Sequence, residues 1–184
     1  PLRIEPERFT PEYPDPAKGK VTIVHAPSNR GVKGTKYIHS AVENLKKKYD
    51  IEYILVENMT QNEAFKEYQK ADIIVDQILG GSYGVFSIEA MAMGKPVITY
   101  ITDEMIKPFP DELPIVSASP LNIQEEIEKL INDGQIRHDL GVKGRKYIET
   151  YHDCKKNAKV IAKIYEGTAN KTKGKDAFEE VKEL

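Results

Sequence analysis

Residues 72–99 read Asp72-Ile73-Ile74-Val75-Asp76-Gln77-Ile78-Leu79-Gly80-Gly81-Ser82-Tyr83-Gly84-Val85-Phe86-Ser87-Ile88-Glu89-Ala90-Met91-Ala92-Met93-Gly94-Lys95-Pro96-Val97-Ile98-Thr99. The stretch opens on a short β-branched run, Asp72 to Val75, which suits a strand buried on both faces. A glycine-rich turn, Gly80 to Gly84, follows it. Val85–Met93 is then almost wholly apolar and long enough for a short helix, which Gly94 stops. Pro96-Val97-Ile98-Thr99 begins a second β-branched run. Strand, loop, helix and strand in this order predict parallel pairing through a right-handed crossover.

The same alternation extends in both directions. Upstream, Val21–His25 reads as the first strand, and Gly31 and Gly34 punctuate the loop after it. From Thr35 to about Tyr49, apolar residues Tyr37, Ile38, Ala41, Val42 and Leu45 recur on one helical face. Ile51–Val56 is the next strand. Thr60 with Glu63 three residues on has capping-box spacing for a helix ending near Lys70. Downstream, a loop with three prolines leads to a short strand at Ile115-Val116. Ser119-Pro120 is expected to cap the helix that follows, and further helices fit Gln135–Tyr151 and Cys154–Glu166. The fold class is α/β: a Rossmann-like, doubly wound parallel sheet of five to six strands with helices on both faces. Residues 1–20 carry five prolines and read as an irregular linker. Residues 21–168 form the domain, and residues 169–184 a tail, lysine-rich to Lys175 with a short helix over Ala177–Leu184.

Composition narrows the function. The chain has 184 residues, 40% of them hydrophobic, which is enough to bury a core. Charges nearly balance, 27 Lys+Arg against 29 Asp+Glu, so neither nucleic acid nor an anionic membrane is expected as the main partner. Cys154 is the only cysteine, which excludes an internal disulfide and fits a reducing, cytoplasmic setting. No apolar run approaches the roughly 20 residues of a membrane span. Pro1-Leu2-Arg3-Ile4-Glu5 is no signal peptide, and a start without Met reads as the start of a fragment. There is no Asp-x-Asp triplet and no grouped His/Cys set, so no metal or other cofactor is expected.

In a doubly wound sheet the ligand lies beyond the carboxyl ends of the strands. The loop Ser28-Asn29-Arg30-Gly31-Val32-Lys33-Gly34 puts two cations, Arg30 and Lys33, at a strand end just before a helix N-terminus. Cations, free amides and a helix dipole favour a phosphate or diphosphate. Gly80–Gly84 lets backbone N–H groups approach a ligand closely. Glu89 sits inside the apolar run behind that turn, where a carboxylate needs partners. A vicinal pair of ribose hydroxyls would satisfy it, as would a salt bridge. Asn58 and Met59, after the second strand, either edge a nucleobase or belong to an ordinary capping turn. His25 has two readings, a ligand contact and a strand-to-loop hydrogen bond. So has Tyr83, which either packs on a sugar or lines its loop.

The run Gly81 to Ile98 resembles the signature of group 1 glycosyltransferases, retaining enzymes of GT-B architecture. In that family it typically reads Glu-Gly-Phe-Gly, four variable residues, Glu-Ala-Met-Ala, then Gly-x-Pro-Val. Lys33-Gly34 is similar to the family's Lys-Gly after the first strand of the donor domain. Gly144-Arg145-Lys146-Tyr147 and Tyr151-His152-Asp153 resemble its late helical signature. The resemblance covers about residues 21–166.

It implies the C-terminal, donor-binding domain of a two-domain enzyme, with a missing N-terminal domain holding the acceptor. It implies transfer of a sugar, with retention, from a nucleotide sugar (a UDP- or GDP-sugar) to an acceptor hydroxyl, as in polysaccharide biosynthesis. The isolated domain would then be inactive. Carried over by position, Glu89 binds the ribose and Lys33 stabilises the leaving diphosphate, with Arg30 beside it. Ser28, Gly81, Ser82, Tyr83, Gly84 and Val85 border the donor. Two positions depart from the pattern. Gly81 stands where the first family glutamate contacts the sugar, and Ser28 stands where the family arginine precedes its lysine. Two other readings stay open. One is a sugar-nucleotide epimerase of the same architecture, which needs no acceptor. The other is a non-catalytic nucleotide-binding domain, which the missing carboxylate at Gly81 favours.

Overall fold

The computed structural model describes residues 3–110 and 113–169. Five strands, β1 (Val21–His25), β2 (Ile51–Leu55), β3 (Ile73–Val75), β4 (Val97–Thr99) and β5 (Ile115–Ser117), form one sheet in the order β2-β1-β3-β4-β5. Every pairing is parallel, with Val24 opposite both Ile54 and Ile74. The chain leaves β1 toward one edge and returns to β3 on its other side. The carboxyl ends of β1 and β3 are therefore the switch point, where a crevice opens.

The β-branched strands alternate between two cores, as a period of two demands. Val24 and Ile74 face α3 (Gln61–Lys70), α4 (Val85–Ala92) and α7 (Gly134–Tyr147). Ile23, Ile73, Val75 and Ile98 face α2 (Thr35–Leu45) and α6 (Ile123–Asn132), where Ile38, Val42, Ile127 and Leu130 are buried. Burial on both sides explains why β1, β3 and β4 lack the polar alternation of a half-exposed strand.

Local signals set most boundaries. Thr60 and Glu63 form the full capping box of α3. Gly94, at φ +73°, ends α4 in the left-handed region. Three details differ from expectation. The loop after β1 holds a single helical turn, α1 (Arg30–Lys33), because the Asn29 side chain accepts from the amides of Gly31 and Val32. Ser119 does not cap α6. It joins a turn through Asn122, whose Oδ1 accepts from the Ser119 amide at 2.8 Å, and the helix begins at Ile123. A wider π turn, Ile148–His152, separates α7 from α8 (Cys154–Ala169). The short α5 (Asp103–Ile106) follows β4.

The proline-rich leading segment docks on the domain. Ile4 bridges to Asp153, and the Glu12 amide donates to Met93 O at 3.0 Å. The Arg145 guanidinium donates through Nη1 to Pro6 O, Phe9 O and Ala92 O, tying this segment to the end of α4. The expected tail helix over 177–184 lies outside the described residues.

Candidate functional site

The residues at the switch point come from three loops. The first carries Lys33 at the end of α1, whose ammonium donates to Asp76 Oδ1 at 2.5 Å. Asp76 follows β3 directly and is 0% exposed, while the Lys33 side chain keeps 13% of its surface open to solvent. The other carboxylate oxygen of Asp76 accepts from Ser87 Oγ, in the first turn of α4, at 2.6 Å. The lysine is therefore held at the mouth of the crevice with donor capacity to spare.

Arg30 points elsewhere. Its guanidinium makes a two-pronged pair with Glu57 after β2, Nε to Oε1 at 2.8 Å and Nη2 to Oε2. This pairing raises the Arg30 pKa and lowers that of Glu57, through the hydrogen bond first and charge attraction second. The two cations expected to act together thus hold different carboxylates. Beside Glu57, Asn58 takes a left-handed φ of +56° and Met59 is exposed. Ser28 is exposed as well.

His25 is resolved in favour of a structural role. It is 0% exposed, with Nδ1 at 2.8 Å from Val75 O and Nε2 at 2.9 Å from Thr35 Oγ1. A carbonyl only accepts, so Nδ1 carries the proton and Nε2 accepts from the threonine. Burial lowers its pKa and keeps the ring neutral.

The glycine-rich turn divides its residues. Tyr83 lines the loop from inside. Its hydroxyl lies 3.0 Å from His152 Nε2 and its ring packs on Phe109, so the side chain is not available to stack on a sugar. The Ser82 carbonyl accepts from the Gln77 amide. Gly84 is the N-cap of α4 with open space where a Cβ would stand, and Val85 beyond it is 48% exposed. Gly81 has φ +74°, and its carbonyl accepts from the Thr102 amide at 3.0 Å.

A Cβ at Gly81 would stand 3.2 Å from Thr102 Cγ2. Gly81→Glu is therefore expected to strain the loop by about 1–2 kcal/mol, the cost of a left-handed L-residue. A thermal melt checks this, and an unchanged midpoint would show that the turn relaxes freely.

Glu89, in the second turn of α4, is half-buried. Among the described residues no hydrogen bond or ion pair reaches its carboxylate. Burial pushes its pKa up, with no compensating partner. The salt bridge that would explain an acid in this apolar run is absent from the described residues. Nor do these hold a group of three or more His, Cys, Asp or Glu side chains placed for a metal, or a helix long and apolar enough to cross a membrane.

Residues 31–147, more than half of the chain, match the family of glycosyl transferases group 1. The chain belongs to this family. No curated protein matches its sequence. Its fold is a Rossmann-like half of the GT-B architecture. It superposes on the C-terminal domain of a group 1 glycosyl transferase, LpcC, from Francisella tularensis with a TM-score of 0.61 at 20% identity, covering 82% of this chain and 99% of that one. Sucrose-phosphate synthase from Thermosynechococcus elongatus gives 0.65 at 17% identity, covering 92% and 52%. HepE from Anabaena, solved in complex with UDP, gives 0.61 at 11%, covering 81% and 49%. The chain thus spans about half the length of the synthase.

In this group 1 glycosyl transferase domain, two carboxylates escaped the sequence reading. Asp76 had a usable signal, a charged residue directly after a buried strand. Glu57 lies in a loop already singled out after the second strand, but nothing in the chain pairs it with Arg30, 27 residues away.

Proposed function

We propose that this domain binds the nucleotide-sugar donor of a retaining glycosyltransferase, with the acceptor held by a further domain of the enzyme. The observation that carries the reading is Glu89, a half-buried carboxylate on the helix beside the switch point, with no hydrogen-bond or ion-pair partner among the described residues. Such a group is costly unless a ligand completes it, and two vicinal ribose hydroxyls supply the two donors it lacks. Lys33 then meets the diphosphate with its free donors. The loop at Asn58 and Met59 borders the base. Gly81 to Val85 brings open backbone to the donor, with Ser28 at the far rim. Arg30 reaches the diphosphate by exchanging Glu57 for a phosphate oxygen.

The reaction that fits is transfer of a sugar to an acceptor hydroxyl. The bond between the anomeric carbon and the phosphate oxygen breaks, and its electron pair stays on the diphosphate. A fixed cation lowers the barrier where that charge gathers. Gly81 leaves the sugar pocket without a carboxylate, so the sugar's hydroxyls are met by other groups.

A thermal-shift screen against UDP, GDP and their sugars tests the reading, since a ligand that binds only the folded state raises the melting midpoint. A domain stabilised by none of them would refute it. Glu89→Gln is expected to weaken nucleoside and nucleotide binding alike, by about 1–2 kcal/mol, because the charge-assisted acceptor is lost. Its pH dependence follows. Hydroxyl donors favour the charged carboxylate, so binding lowers the raised pKa of Glu89 and releases a proton. Affinity should tighten as pH rises through that titration. Calorimetry in buffers of different ionisation enthalpy reads the proton, and uptake instead of release would contradict the assignment.

A further inference from the structure

Lys33 is held from both ends by one segment. Its carbonyl accepts from the Ile78 amide at 3.2 Å, and its ammonium donates to Asp76, two residues earlier in the chain. Asp76 is itself tied down. Its amide donates to Ile98 O at 2.9 Å, extending the β3–β4 ladder. Its carboxylate is fully buried between Lys33 and Ser87, and Ser87 is also 0% exposed. His25, kept neutral by burial, and Tyr68, whose pKa burial pushes up to about 12, also sense its charge. Lys33 is therefore the only cation that this carboxylate touches among the described residues.

A lysine side chain has four rotatable bonds, and a free one loses that freedom when it grips a phosphate. A lysine already fixed by a buried acid does not. We infer that Asp76 is a positioning residue for the donor's diphosphate. It holds the Lys33 ammonium at the switch point and joins it, through Ser87, to the helix that carries Glu89. The inference rests on the nucleotide-binding reading above and adds to it a residue that does not touch the ligand. It also explains how one carboxylate is tolerated so near a diphosphate: its charge is already matched by the cation it orients.

The test measures UDP and GDP binding by calorimetry, with uridine and guanosine as controls. It uses the wild type, Asp76→Asn, Asp76→Ala and the double variant Lys33→Met with Asp76→Ala. Asparagine still accepts from Lys33 and contacts Ser87, so Asp76→Asn should keep the wild-type affinity or exceed it. Asp76→Ala should lose diphosphate affinity on the order of tenfold, the scale of ordering one long side chain on binding. Nucleoside affinity should not change, and the double variant, which lacks the lysine itself, should bind the diphosphate at least as weakly as Asp76→Ala. Four results would overturn the inference: Asp76→Ala binding as tightly as wild type, equal losses for nucleoside and diphosphate, Asp76→Asn failing as badly as alanine, or a double variant that binds the diphosphate more tightly than Asp76→Ala. If Asp76→Ala does not fold, Asp76→Asn against the double variant decides, and equal diphosphate affinities there would refute the role. A wild type that binds neither UDP nor GDP refutes the nucleotide site itself, before any variant is compared.

Discussion

Lys33→Ala should abolish most of the preference of this domain for a nucleoside diphosphate over the nucleoside. A charge-assisted contact to phosphate contributes roughly 1.5–3 kcal/mol, so the diphosphate should lose about 10- to 100-fold in affinity while the nucleoside loses little. The same change should cost stability. Asp76 is 0% exposed and among the described residues would be left with only the Ser87 hydroxyl for a partner. Breaking such a pair from one side costs about 3 kcal/mol, because the remaining charge is buried and uncompensated. The two effects separate in Lys33→Ala combined with Asp76→Asn. Removing the orphaned charge should restore the melting midpoint without restoring diphosphate affinity. Equal affinity losses for nucleoside and diphosphate in Lys33→Ala would sink its assignment to the phosphate.

Gly141→Ala should destabilise the domain by about 3 kcal/mol, the upper range for overpacking in a tight site. In an open helix the same substitution normally stabilises, since glycine is the poorer helix former by close to 1 kcal/mol. Here α7 crosses the end of α4 so closely that the added Cβ would stand 2.2 Å from Gly94 O and 3.4 Å from Pro14 Cδ. The clash is with backbone at the left-handed turn that ends α4, so no side-chain rotation relieves it. Denaturant unfolding measures the change. A neutral or stabilising result would mean that α7 and α4 sit further apart. The turn also sets the position of α4, so surviving protein should bind nucleotide less well through a displaced Glu89.

Much of the site was legible in the chain. Lys33 and Glu89 stand out because each is a charged residue in a context that does not want one: a glycine-punctuated strand end, and an apolar helical run. What was not legible is which partner each charge has. Lys33 and Asp76 are 43 residues apart, and Arg30 and Glu57 are 27 apart. Arg30 neighbours Lys33 in sequence, yet the two side chains reach carboxylates that follow opposite neighbours of β1, so Arg30 meets a phosphate only by giving up Glu57. The inward turn of Tyr83 depends likewise on His152 and Phe109, brought from distant helices and loops.

The sequence by itself determined the strands, the helices, their alternation and the parallel sheet they imply. Those follow from periods of two and 3.6 and from residues that start or stop an element within a few positions. The tertiary structure alone decided the strand order, which puts β3 beside β1 and so sets Asp76 against Lys33. It alone showed that the proline-rich segment is anchored by Arg145, and that Glu89 has no protein partner among the described residues. The physical reason is range. Backbone hydrogen bonding and hydrophobic pattern are encoded locally, whereas the neutralisation of a buried charge depends on whichever group the completed fold brings within about 3 Å of it.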